Sequence, residues 1–140
     1  MIGILLREKR TRKAHPVVLE ILDKVGLLAQ QGKRAGDLTV PDRKRLELAR
    51  CLVSRPKLLM LDEVFAGLNP SETEQLMTMI RNIHAQGIAI LIIEHVMQAV
   101  MNLSNHIVVL NYGEKLTEGK PEAVVKDRQV IEAYLGEEYA

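Results

Sequence analysis

The sequence predicts an α/β fold with a mainly parallel sheet, and three observations carry that reading. Residues 57–62 and 88–93 are short apolar runs without polar alternation, the pattern of strands buried on both faces of a parallel sheet. Stretches with apolar residues at helical spacing lie before, between and after them. Strand and helix patterns alternate along the chain, which is the order of βαβ units.

The elements follow in order. Arg7, Lys9, Arg10, Arg12 and Lys13 make residues 7–13 a solvated helix face or frayed end. Val17, Val18, Ile21, Leu22 and Val25 predict an amphipathic helix over 16–25, ended by Gly26, and a polar loop then runs to Gly36. Pro41 opens the next helix at its first position, where the missing N–H would have had no partner. Leu46, Ala49, Cys51, Leu52 and Val53 supply its apolar side, and Pro56 stops it. Pro70 and Ser71 start a third helix, with Leu76, Met77, Ile80 and Ile83 on one side and Gly87 past its end. Residues 96–103 read as a helix, 106–110 as a third strand, and Tyr112-Gly113 as a turn into an antiparallel return over 115–118. Residues 121–126 and 130–135 are short helices. The texture changes near residue 37, helical before and α/β after, which divides the chain into residues 1–36 and 37–140.

Composition excludes several function classes. A chain of 140 residues fits one domain with a real core, and 47% apolar with 26% charged residues is ordinary for a soluble globular protein. The formal net charge of +1 provides no global field toward nucleic acid or an anionic membrane, so a basic-arm nucleic-acid binder is disfavoured. Cys51 is the single cysteine and cannot form an internal disulfide. The first residues, Met-Ile-Gly-Ile-Leu-Leu, turn basic only afterwards, the reverse of a secretory signal, and no apolar run is long enough to span a bilayer. A soluble, intracellular location is expected.

Chemistry concentrates at Asp62 and Glu63, two adjacent carboxylates at the C-terminal end of an apolar strand, where open α/β sheets bind ligands. Neighbouring strand residues point to opposite sides, so one carboxylate can hold a hydrated Mg²⁺ while the other orients a water. The plain alternative is an Asp-Glu pair capping a loop. The residues that follow narrow the choice. Leu61-Asp62-Glu63-Val64-Phe65-Ala66-Gly67-Leu68-Asn69-Pro70 resembles the Walker B motif and D-loop of ABC ATPases. Ile92-Ile93-Glu94-His95 resembles the strand and switch histidine of that family, and residues 37–50 stand where its signature loop and helix stand. Three motifs in the right order are far more specific than any one. The resemblance runs from about Val17 to Leu135. Pro41-Asp42-Arg43-Lys44-Arg45-Leu46-Glu47 and the ending Ile131-Glu132-Ala133-Tyr134-Leu135-Gly136-Glu137 resemble, more narrowly, the ATPases of branched-chain amino-acid uptake systems.

This resemblance implies the C-terminal part of a RecA-like P-loop NTPase core, joined to the end of the ABC helical subdomain. It implies ATP and Mg²⁺ as cofactors. Asp62 would bind Mg²⁺ through water, Glu63 would be the general base, and His95 would contact the γ-phosphate. Leu38, Thr39, Val40, Pro41 and Asp42 would form the signature loop that faces a partner's nucleotide, and Asn69 would belong to the D-loop. The implied partners are a second ATP-binding subunit, as homo- or heterodimer, and transmembrane permease subunits, with no nucleic acid. The implied place is cytoplasmic, peripheral on the inner face of the cell membrane. His15, His84 and His106 have no such context and read as surface or strand-end residues, and Cys51 reads as a small packing residue.

Two departures from the family matter. Its usual signature is Leu-Ser-Gly-Gly-Gln, whereas this chain has Leu38-Thr39-Val40-Pro41-Asp42. Thr39 keeps a hydroxyl, but Pro41 offers no N–H and Asp42 adds a negative charge. In the D-loop Asn69 stands where Asp is usual. The larger departure is that no G-x-x-x-x-G-K-[ST] occurs; the residues from Gly113 to Lys120 are one position too long for it and are followed by Pro121. The P-loop would supply backbone N–H groups and a Lys to the phosphates. Its strand, in the family's sheet, lies between those at 89–93 and 106–110. The chain therefore reads as a domain without its N-terminal part, whether through a split gene, a shortened reading frame or a deliberate fragment, and as inactive alone. The rival functional reading is a non-hydrolysing fragment that only interacts with full-length ATPase subunits. An ATPase of the SMC type would show coiled-coil heptads, and none is present.

Overall fold

The computed structural model describes residues 8–135, with side chains from Pro16 to Tyr134. The basic run at 7–13, His15 and the last residues of the C-terminal motif lie outside the described side chains. The chain forms two compact units, divided between Ile93 and Glu94.

The first unit begins with α1 (Glu8–Lys24). Gly26 ends it at φ 69, a left-handed conformation that costs glycine nothing. Its amide donates to Asp23 O at 2.9 Å and that of Leu27 to Leu22 O at 2.7 Å, which satisfies the last carbonyls of the helix. α2 (Val40–Leu52) follows. Ile21, Val25, Leu27 and Ala49 are buried together, with Leu46, Leu52 and Met79 packed against them. Removing a large side chain from such a site, as in Leu27→Ala, costs about 2–5 kcal/mol. Pro41 occupies the second helical position, not the first, because Thr39 is the N-cap. Cys51 is exposed, a correction to its expected packing role: Leu48 and Ala49 carry the buried stripe and Cys51 falls off it.

β1 (Leu58–Asp62) pairs in parallel with β2 (Ala89–Ile93), Leu58 opposite Ala89 and Asp62 opposite Ile93. Between them α3 (Pro70–His84) buries Leu76, Met77, Ile80 and Ile83 as the spacing predicted. The expectation of strands buried on both faces is not met. Leu59 and Leu61 are buried, but Leu58, Met60, Leu91 and Ile93 are 48–65% exposed. Within this unit the pair is covered on one face only, and the other face is apolar and open.

The second unit holds α4 (Met97–Leu103), then the antiparallel hairpin of β3 (Ile107–Asn111) and β4 (Glu114–Gly119). Tyr112 and Gly113 turn it with φ of 47 and 82, both left-handed, the geometry of a two-residue hairpin loop. α5 (Pro121–Val124), α6 (Arg128–Val130) and a π-helical turn (Ile131–Leu135) follow. Ile107, Val124 and Val130 form this unit's core, with Val100, Met101 and Val109 against it. The Tyr134 hydroxyl donates to the Leu110 carbonyl and ties the terminal turn to β3. Among the described residues, no helix is long and apolar enough to cross a membrane.

Candidate functional site

The end of β1 is bent by Glu63. Asp62 is its last strand residue, and Glu63 takes a left-handed φ of 45. A residue with a Cβ is roughly 1–2 kcal/mol less stable there. Strand alternation therefore stops at Asp62, so the pleat alone does not set the direction of the Glu63 side chain. The Glu63 amide donates to Ile93 O at 2.9 Å, which anchors the kink to the end of β2. Its carbonyl accepts from the Ala66 amide at 3.2 Å and from Lys44 Nζ at 3.4 Å. Val64 and Phe65 are buried immediately after it, while Asp62 and Glu63 are exposed. Two buried anchors thus hold two solvent-facing acids.

The turn into α2 carries the residues expected to form the signature loop. Leu38 is buried and Thr39 is the cap, its Oγ1 accepting the Asp42 amide at 3.3 Å. The Arg43 amide donates to Thr39 O, and Pro41 has no amide hydrogen. The first turn therefore has few donors left for an anion. Thr39 can still donate its hydroxyl hydrogen while accepting from Asp42. The Asp42 carboxylate lies 3.6 Å from Arg45 Nη1, and Arg45 Nη2 donates to Gln75 Oε1 at 2.7 Å. The negative charge expected to face a phosphate is thus partly met inside the chain. Val40 is 41% exposed, and its Cγ1 would sit 3.7 Å from a Cβ on Gly67, so this turn abuts the loop after β1.

Asn69 caps α3. Its side chain accepts the Glu72 amide at 3.0 Å and its own amide donates to Glu72 Oε2 at 2.9 Å, a reciprocal capping box. The first unit therefore contains Leu38, Thr39, Val40, Pro41, Asp42, Asp62, Glu63 and Asn69. His95 belongs to the second unit, is exposed, and donates its amide to Glu94 Oε2 at 3.3 Å. His84 is exposed with Nδ1 3.0 Å from Ile88 O, and His106 is exposed with Nε2 3.9 Å from Glu118. Sequence reasoning missed Lys44, Arg45 and Gln75. The spacing of Asp42 and Arg45 was a usable signal, as was Asn69-x-x-Glu72. Nothing local points to Gln75, thirty residues from Arg45.

No group of three or more His, Cys, Asp or Glu able to hold a metal occurs among the described residues. Mg²⁺ needs less from a protein: it keeps several waters and takes one or two carboxylates beside substrate phosphates. The exposed carboxylate of Asp62 at a strand end fits that role. The phosphate cradle of an ATP site does not fit anything here, since the sequence has no glycine-rich P-loop.

Residues 114–140 match the family described as branched-chain amino acid ATP-binding cassette transporter. The chain is 43% identical, over 90% of its length, to the high-affinity branched-chain amino acid transport ATP-binding protein BraF of Pseudomonas aeruginosa, covering 50% of that protein. It is 47% identical, over 83% of its length, to the corresponding protein LivG of Escherichia coli K12, covering 46% of it. Among solved structures, the ADP conformation of MJ1267, an ATP-binding cassette of an ABC transporter, superposes with a TM-score of 0.81 at 30% identity, over 98% of this chain and 54% of that one. The chain thus spans about half the length of the curated relatives it matches. Over most of its length, it is related to the C-terminal part of the ATP-binding proteins of branched-chain amino-acid ABC transporters.

Proposed function

We propose that this chain supplies the hydrolytic end of the ATP site in an ABC importer for branched-chain amino acids. The observation that carries the reading is the kink at the end of β1, which presents Asp62 and Glu63 to solvent beside the signature turn. Residues 1–36 would close the helical subdomain and residues 37–140 would complete the ATPase core. Glu63 accepts a proton from the attacking water and orients it toward the γ-phosphate. Asp62 would hold Mg²⁺ through water, and His95 would donate to a γ-phosphate oxygen. Bound Mg²⁺ supplies charge neutralisation for the phosphates. Leu38, Thr39, Val40, Pro41 and Asp42 face the nucleotide of a second ATP-binding subunit, with Asn69 in the D-loop beside them. Permease subunits complete the assembly on the inner face of the membrane.

A second reading is favoured by one observation, the missing P-loop: the chain alone would be a non-hydrolysing fragment that docks on full-length ATPase subunits. Turnover separates the two. The chain by itself is expected to bind Mg-ATP in the millimolar range or more weakly, about −4 kcal/mol or less favourable. Completed by a P-loop half, it should hydrolyse ATP, and Glu63→Gln should cut that rate by roughly 10²–10⁴-fold while binding persists. Near-normal turnover in the Gln variant would place the base elsewhere; no turnover in the completed protein would favour the docking fragment.

A further inference from the structure

Glu63 is gripped at both of its peptide groups by other elements. Its amide is held by the Ile93 carbonyl of β2 at 2.9 Å. Its carbonyl accepts from Lys44 Nζ of α2 at 3.4 Å, a contact between residues nineteen apart in sequence. The left-handed φ of 45 is disfavoured for glutamate and persists only where the surroundings over-determine it. The Ala66 amide, at 3.2 Å from the same carbonyl, is part of the local turn, whereas Lys44 reaches it from another element. Arg45 is engaged by Asp42 and Gln75, and Arg43 is exposed. Lys44 is half-buried, a compact charge on a stem long enough to reach the kink.

We propose that Lys44 is a positioning residue for Glu63. Its ammonium holds the Glu63 carbonyl, keeps the residue in its left-handed conformation, and so aims the carboxylate. It also joins the helix behind the signature turn to the peptide that carries the base, so a shift of α2 changes the direction of Glu63. The inference rests on Glu63 being the general base, and the loss it foresees is one of orientation, not of nucleotide binding.

The test uses the complete ATPase containing this chain, with Lys44→Met, Lys44→Arg and, as control, Glu63→Gln. Lys44→Met should lower kcat by on the order of 10–100-fold, the scale of a misaimed catalytic group. KM for ATP should stay within about twofold, because ground-state binding is untouched. Lys44→Arg, which keeps a cationic donor, should restore most of the rate. The ¹³Cα and ¹³Cβ shifts of Glu63 should lose their left-handed signature in Lys44→Met and regain it in Lys44→Arg. Wild-type kcat in Lys44→Met, or a loss that Arg does not rescue, would overturn the proposal. If Glu63→Gln also leaves turnover intact, the base assignment fails separately. Retention of the left-handed shifts in Lys44→Met then overturns the positioning contact on its own.

Discussion

Arg45 of α2 reaches Gln75 of α3 with Nη2 at 2.7 Å while its Nη1 lies 3.6 Å from the carboxylate of Asp42. One planar guanidinium thus ties the start of its own helix to the flank of another, a division of donors that lysine cannot copy. The Asp42 and Arg45 side chains are 19% and 22% exposed, so the pair is only partly screened by water. Arg45→Met is expected to destabilise the protein by about 1 kcal/mol, and Arg45→Lys by somewhat less. Urea denaturation of both, with Gln75→Met completing a double-mutant cycle, should show a coupling of about 0.5–1 kcal/mol between Arg45 and Gln75. Additive effects would remove this contact from the account of stability.

The capping box of α3 gives a second outcome. Asn69→Ala removes the acceptor for the Glu72 amide and should cost about 1 kcal/mol. Asn69→Asp restores the D-loop residue usual in ABC ATPases and keeps an acceptor. Its negative charge at a helix N-terminus is favourable, so stability should be unchanged or slightly raised. Melting curves of the two variants decide this. A loss in Asp as large as in Ala would mean that the amide hydrogens of Asn69, not its oxygen, matter.

These two contacts also mark how far the sequence could be read. Helix and strand order follows from periodicity and from Pro41, Pro70, Gly26 and Gly87, which punctuate it, and the structure keeps that order. Asp62 and Glu63 were legible because an apolar strand ending in acids is a local pattern. The left-handed kink at Glu63 was not, since no glycine announces it and its support comes from Lys44 and Ile93, distant in sequence. The open face of β1 and β2 was misread for a related reason. Leu58-Leu59-Met60-Leu61 carries no polar residue to show which face is covered, so burial depends on what packs there.

The signature turn offers a gain-of-function outcome. Pro41 lacks a donor, and the Asp42 amide is already taken by Thr39. Replacing Val40 and Pro41 by Gly and Asp42 by Gln should raise turnover of a reconstituted dimer at the site this loop caps. The same change loosens the first turn, about 1 kcal/mol for a glycine, and removes the ion pair with Arg45. Faster hydrolysis in a less stable protein is therefore the expected combination. Unchanged or slower turnover would show that the loop is competent as written.

The hairpin of the second unit carries a pH dependence. The Lys115 ammonium, 3.1 Å from Glu118, holds that carboxyl below the usual glutamate range, with His106 adding a smaller effect. A depressed folded-state pKa stabilises the native state above the unfolded-state pKa, and this is lost as pH falls through the folded-state pKa. The hairpin should thus loosen only in acid, below the ordinary glutamate titration. An NMR titration of the Glu118 side chain checks it: Lys115→Met should raise the midpoint toward that of a free glutamate. An unmoved midpoint would assign the shift to another group.

The open apolar faces bear on the state of the chain in solution. The family's sheet would leave the strands at 89–93 and 106–110 without a shared neighbour, and the expected uncovered residues were Ile90, Ile92, Val108 and Leu110. Ile90 and Ile92 are half-buried instead, on the same face as Leu59 and Leu61. The exposed set in the first unit is Leu58, Met60, Leu91 and Ile93, with Met60 and Leu91 opposite each other in the ladder. Val108 and Leu110 are exposed in the second unit, as expected. β1 pairs with β2 and β3 with β4, so each ladder closes within its own unit. Apolar side chains side by side on a bare sheet are uncommon in monomers, and a free strand edge adds unpaired backbone donors and acceptors. The chain alone should therefore self-associate. Light scattering across a concentration series should show mass rising with concentration. Met60→Lys and Leu91→Lys, which place charge on the open face without touching the buried one, should shift the protein toward monomer. A monodisperse monomer with a cooperative melt at high concentration would mean that these faces are covered within a single chain, and the expectation would fail.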